Sequence, residues 1–88
     1  MSFLVLSPHV RYILEVDTGV LLDLKRGKCF GVNRVGGEIC AALRDGATPK
    51  QIVGKVAAKY QVKDQVAEGD VREFLQNLLD KHLVETKT

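Results

Sequence analysis

Cys29, Cys40, His9 and His82 are the side chains of this sequence best suited to holding a metal, and their spacing decides whether they can. Zinc sites place ligands a few residues apart, so that neighbouring loop positions converge on one ion. No CxxC or HxxxH pair occurs here, and no metal is expected. The same two cysteines could bridge. The opening MSFLVLSP, however, lacks a basic leader and is far shorter than a membrane span, which argues against a signal peptide or anchor. A cytoplasmic chain with free thiols, and no membrane partner, is the expectation.

Other chemistry fares no better. Ser2 and Ser7 lie in the N-terminal segment and the histidines near opposite ends, so no nucleophile has a base beside it in the sequence. Gly27, Gly31, Gly36 and Gly37 bracket the passage from an apolar run into a helix, where phosphate loops form. They match neither GxGxxG nor GxxxxGKS/T, and no second parallel strand follows to build a βαβ unit. Asp64, Glu68, Asp70 and Glu73 are spaced as a solvated helical face. The chain does not read as an enzyme, and no cofactor is expected.

The elements that would position any site follow from periodicity. With 88 residues, 45% hydrophobic and 27% charged, one small core is affordable and two are not. A single domain over residues 1–85 is expected, with Thr86 to Thr88 a free tail. His9 to Val16 alternate, with Val10, Tyr12, Leu14 and Val16 on one face and Arg11 and Glu15 on the other, as in a half-buried strand. The tripeptide DTG supplies a turn. Val20 to Leu24 form a second strand, Lys25, Arg26 and Gly27 a second turn, and Lys28 to Val32 a third strand of an antiparallel meander. Phe3 to Leu6 either adds a short strand or packs across the sheet.

After Val32 the period lengthens to that of a helix. Val35, Ile39, Ala42 and Leu43 share a face, Asn33 is placed to cap the first amides, and Gly46 can end the helix in a left-handed conformation. Thr48, Pro49 and Gln51 are an N-cap, a first-turn proline and the partner of a capping box. Ile52, Val53, Val56, Ala57 and Tyr60 then make the stripe of helix two. Helix three begins near Asp64, with Val71, Phe74, Leu75, Leu78 and Leu79 recurring at helical spacing. Gly69 within it implies either close packing or a mobile first turn. The fold class is α+β and winged helix-turn-helix-like, a three-stranded antiparallel sheet followed by three helices.

That order raises two binding functions. A winged-helix regulator would lay helix three in the DNA major groove, with Gln76 and Asn77 to read bases. Asp64, Glu68, Asp70, Glu73 and Asp80 outnumber Arg72 and Lys81 there, and the net charge of +2 with a pI near 8.6 is no basic stripe. An acidic helix is repelled by a polyanion, so no nucleic-acid partner is expected. The third strand is the other surface. If it lies at the sheet edge, the outer N–H and C=O groups of Lys28, Cys29, Phe30, Gly31 and Val32 form a template for an incoming strand. An edge merely protected by Lys28 and its short length reads equally well.

The run GVLLDLKRGKCFGVNRVGGEICAALRDGATPKQIVGKVAAKY, followed by DVREFLQNLLDKHLVE, resembles the PqqD-like family, the recognition elements for RiPP precursor peptides, from about Pro8 to Glu85. The marks are Val32 and Asn33 closing the third strand, Asp45 and Gly46 ending helix one, Thr48 and Ile52 opening helix two, and Asp70, Val71, Phe74, Leu75, Leu78 and Leu83 in and after helix three. The family more often has a larger residue where Gly36 and Gly37 stand, which suggests a loosened start to helix one. It often has glycine where this chain has His82, a residue that tolerates a left-handed cap.

The resemblance implies a non-catalytic module that binds the leader segment of a ribosomally made precursor peptide by strand addition between the third strand and helix three. Lys28 to Val32 would supply the ladder. Asp70 carries over with the helix-three motif, and Val71, Phe74, Leu75 and Leu78 are candidates for an apolar wall, Leu75 and Leu78 reading first as core. Lys25, Arg26, Lys28 and Arg34 would steer an acidic leader or simply be solvated turn charges. The implied partners are the leader and a leader peptidase or other modifying enzyme. A standalone module of this size most resembles the leader-binding protein of lasso-peptide clusters, with a peptide chaperone for a radical SAM enzyme in cofactor synthesis as the alternative.

Overall fold

The structure is a computed structural model that describes residues 3–16 and 18–87. Ser2 of the opening segment, Asp17 of the expected DTG turn and Thr88 of the expected tail lie outside the described residues. Eight elements follow in order: β1 (Phe3–Leu6), β2 (Val10–Glu15), β3 (Thr18–Asp23), β4 (Lys28–Val32), α1 (Arg34–Asp45), α2 (Pro49–Tyr60), α3 (Asp64–Asp80) and β5 (Val84–Lys87).

The expected meander is present as an antiparallel sheet in the order β2-β3-β4, followed by three helices. Register pairs Tyr12 with Leu21 and Leu21 with Phe30, so that Val10, Tyr12, Gly19, Leu21, Asp23, Phe30 and Val32 face the helices. The helical layer covers this face unevenly. Val10 and Tyr12 are buried, but Leu14 and Val16, expected on the same buried face, stand out in solvent beyond the end of the helical cover.

Local capping sets the helix starts. The Asn33 side chain accepts from the Gly36 amide at 2.7 Å. Thr48 and Gln51 exchange side-chain and backbone hydrogen bonds at 3.0 and 3.1 Å, the expected capping box. Gly46 ends α1 at φ 90, where its N–H donates to the Leu43 carbonyl. Leu21, Ile39, Leu43, Ile52, Val71 and Leu83 form the most enclosed part of the core.

Two expectations are corrected. Gly36 and Gly37 do not loosen α1; both are buried, and a Cβ on Gly36 would lie 2.9 Å from the Phe74 ring, one on Gly37 2.7 Å from the Tyr12 hydroxyl. Their lack of a side chain lets α3 and β2 close onto the first turn of α1. The second correction concerns the tail. Thr86 and Lys87 belong to β5, which pairs antiparallel with β1 from Leu6–Val84 to Phe3–Lys87. The pairing holds because β1 is anchored on its other side: Leu4 and Ala47 exchange backbone hydrogen bonds at 2.8 and 2.9 Å. His82, at φ 59, takes the left-handed turn that leads from α3 into β5, as its residue type allows. Gly69 has nothing within 4 Å of a built Cβ, so close packing is not its reason.

A candidate strand-addition site

Hydrogen-bond alternation decides which backbone groups of the sheet face outward. In an antiparallel pair, residues that exchange both bonds alternate with residues whose N–H and C=O point away. The Leu24 amide donates to the His9 carbonyl at 2.9 Å, which sets the phase. Arg11, Ile13 and Glu15 therefore bond to β3, and Val10, Tyr12 and Leu14 turn their groups outward. β3 spends Thr18, Val20 and Leu22 on β2, which leaves Gly19, Leu21 and Asp23 for β4. On β4, Lys28, Phe30 and Val32 are thus bound to β3, and Cys29 and Gly31 present their N–H and C=O at the edge.

The two outer edges of this sheet are finished differently. On β2 the Val10 amide donates to the Ser7 carbonyl at 2.9 Å, while Arg11 donates to the Val10 carbonyl at 3.0 Å and Arg44 to the Tyr12 carbonyl at 2.8 Å. That edge is closed at Val10 and at the Tyr12 carbonyl, the two carbonyls by arginine side chains. On β4 no described residue bonds to the outward groups of Cys29 or Gly31. An unpaired ladder of this kind accepts a strand.

Side chains around β4 divide by face. Phe30 and Val32 are half-buried against the core, whereas Cys29 and Gly31 are exposed. At 3.6 residues per turn, α3 carries Asp70, Phe74 and Asn77 along one flank and Glu68, Arg72, Gln76 and Leu79 along the other. Val71, Leu75 and Leu78, at 1%, 5% and 4% exposure, point between these flanks into the core. The Phe74 ring is half-buried at the Gly36 turn of α1, directly after β4, with exposed Asp70 one turn earlier. An apolar hollow of about 620 Å³ lies along the opposite flank of α3, between Leu4, Pro49, Val53, Arg72 and Leu79. It is therefore no part of a groove beside β4.

The turn before β4 is rigidly built. Asp23 is buried, and its carboxylate accepts from the Lys25 amide, the Arg26 amide and the Arg26 guanidinium, each at 3.1 Å. Burial alone would raise its pKa; the bonds from Arg26 and Lys25 outweigh that and hold it below the ordinary carboxylate value. Arg26 is thereby spent on the turn. Lys25 and Lys28 remain exposed at the start of β4 without a carboxylate partner among the described residues, and Arg34 follows its end. The role of Asp23 was readable in principle, since an Asp two residues before Lys-Arg-Gly, as in Asp-Leu-Lys-Arg-Gly, is an Asx-turn signal.

The two cysteines are free, Cys29 exposed on β4 and Cys40 buried in α1, where burial pushes its thiol up to about 12. Among the described residues no three His, Cys, Asp or Glu side chains gather to hold a metal. No described helix is long and apolar enough to cross a membrane.

Comparison with known proteins adds to this geometry. No curated protein matches the sequence. Two solved structures share the fold. One is described as TbiB1 in complex with the TbiA(beta) leader peptide, at TM-score 0.85 and 37% identity over 92% of this chain and 94% of that one. The other is described as lasso peptide synthetase B1 complexed with the leader peptide, at TM-score 0.81 and 23% identity over 93% and 96%. The family described as coenzyme PQQ synthesis protein D matches residues 18–84, which take in β3, β4, all three helices and the start of β5. The chain is a member of the PqqD family.

Proposed function

We propose that this chain binds the leader segment of a ribosomally synthesised precursor peptide as an added strand on β4. It is a non-catalytic, cytoplasmic module that hands the bound peptide to a leader peptidase in lasso-peptide biosynthesis. The observation that carries the reading is the contrast between the edges, β2 capped by Arg11 and Arg44 and β4 left open at Cys29 and Gly31. Its likeness to a leader-bound protein at 37% identity supports the same use of the fold. The lasso branch follows the resemblance to standalone leader-binding modules.

The incoming strand pairs with Cys29 and Gly31 and runs beside Phe30, Val32 and Phe74, with Asp70 at the rim and Val71, Leu75 and Leu78 as the core beneath. Lys25 and Lys28, exposed at the start of β4, attract acidic leader residues. A few backbone bonds at about 1 kcal/mol each and one or two apolar anchors at about 2 kcal/mol each are the attractive contributions that must offset the entropy of association.

Hydrogen exchange with and without the leader encoded beside this gene tests the site. The Cys29 and Gly31 amides should gain protection on leader addition, while Phe30, already bonded to β3, changes little. Protection of Tyr12 and Leu14 instead would move the site to the wrong edge.

A further inference from the structure

The far end of the sheet is built against stability. Val16, the residue after β2, holds φ 54 and is 93% exposed. A β-branched side chain is strained in that left-handed conformation, and a valine in solvent gains no burial in return. Leu14, two residues earlier, is 61% exposed. Both line a hollow of about 380 Å³ between β2 and α1, with Tyr12 and Gly37 also in its wall. Asparagine or glycine would satisfy the backbone at Val16 better, so the apolar side chain there answers to something outside the chain.

The charges around the hollow are one-sided. Arg34 and Arg44 line it. The Arg44 guanidinium lies 5.4 Å from the Tyr12 ring centre and donates only to a backbone carbonyl, as does Arg11 beside it. None of these three arginines meets a carboxylate among the described residues. Lys59 and Glu38, also in the wall, pair with each other. α3 is the reverse, with Asp64, Asp70, Glu73 and Asp80 all exposed. An acidic partner is drawn to the α1–β2 side and turned away from α3. The outward groups of Val10 and the Tyr12 carbonyl are already bonded, which shortens the ladder on this edge and leaves side-chain contacts at Leu14 and Val16 to hold such a partner.

We propose that Leu14, Val16, Arg34 and Arg44 form a second docking surface, for an acidic segment with an apolar anchor on the peptidase that processes the bound leader. The inference rests on the leader-binding reading and extends it. β2 and β4 are opposite edges of one sheet, about 10 Å apart, so leader and enzyme can be held together without competing.

The probe is the leader peptidase encoded beside this gene, titrated with the full chain, while leader affinity is measured separately. Val16→Asn relieves the strained φ and removes the anchor; Arg34→Glu reverses a charge that has no partner to lose. Val16→Asn should raise the thermal midpoint and weaken peptidase binding by about tenfold or more, with leader affinity kept within about twofold. Arg34→Glu should weaken the peptidase similarly, and added salt should weaken the wild-type pair. Folded variants that both keep wild-type peptidase affinity overturn the proposal. So does concentration-dependent self-association abolished by Val16→Asn, or duplex DNA binding abolished by Arg34→Glu, since either gives the surface another occupant. A wild-type chain that binds peptidase but no leader refutes the leader reading and leaves this surface standing.

Discussion

Proline at position 31 separates the two edges of β4 chemically. The Gly31 amide points outward, so proline removes one donor from the ladder offered to a partner and none from the bonds to β3. The host site tolerates it. Gly31 is not among the residues with positive φ, nothing lies within 4 Å of a built Cβ, and Phe30 before it is already extended, as the residue before a proline prefers. The fold should therefore stay within about 1 kcal/mol of wild type. Leader binding loses one backbone hydrogen bond, about 1 kcal/mol, and the ring occupies the space that the partner's carbonyl needs, which costs about as much again. The sum, about 2 kcal/mol, is about thirtyfold in affinity. Gly31→Ala, which keeps the N–H, serves as the control and should bind normally. Phe30→Pro removes a donor to β3 instead and should lose about 3 kcal/mol or more of stability. The assay is calorimetric titration with the leader, alongside urea unfolding of each variant. Folded Gly31→Pro protein with leader affinity within about twofold of wild type would falsify strand addition at this edge.

Other consequences follow from packing and charge. Gly36→Ala and Gly37→Ala push a Cβ into Phe74 and the Tyr12 hydroxyl and should each cost about 1–3 kcal/mol in urea unfolding, whereas Gly54→Ala and Gly69→Ala, in open space on helices, should each gain up to about 1 kcal/mol. Asp23 has a lowered pKa in the fold, so its contribution is complete above the unfolded carboxylate value near about 4 and fades as pH falls through the folded value; Asp23→Asn should flatten the acid limb of the unfolding midpoint against pH. A maleimide probe should label exposed Cys29 rapidly in the native protein and leave buried Cys40, with its thiol pushed up to about 12, untouched until the chain unfolds.

What the sequence disclosed was what it encodes locally. Asn33, Thr48 and Gln51 act within one helical turn of themselves, and their caps occur where residue type and spacing put them; Gly46 ends α1 at the expected position but at φ 90 and ψ 132, outside the left-handed helical conformation expected of it. β4 matched residue for residue because a turn bounds it on one side and a change of period on the other. The features that were hidden are non-local. Gly36 and Gly37 look like weak helix formers until Phe74 and Tyr12, distant in sequence, come down onto them. Thr86 and Lys87 look like a tail until β1 returns beside them. The elements of the candidate site divide in the same way: the third strand was legible as an element, but the split of α3 into a flank with Asp70 and Phe74 and a core row of Val71, Leu75 and Leu78 depends on how that helix is rolled against the sheet.

An open β4 must also be kept from pairing at random with its own copies. An exposed ladder is an aggregation hazard, and short length and charge are the usual defences. β4 has five residues, with lysine at its first position and only two residues facing out. A partner must then bring side chains that fit beside Phe30 and Phe74 to add to so short a ladder, because two residues' worth of backbone bonds, at about 1 kcal/mol each, do not overcome the entropy of association alone. On the proposed reading, selectivity for one leader comes from the same short, charged edge that limits unwanted pairing. On β2 the restraint is different, because Arg11 and Arg44 occupy the Val10 and Tyr12 carbonyls, two of the acceptors on which an unwanted strand would build.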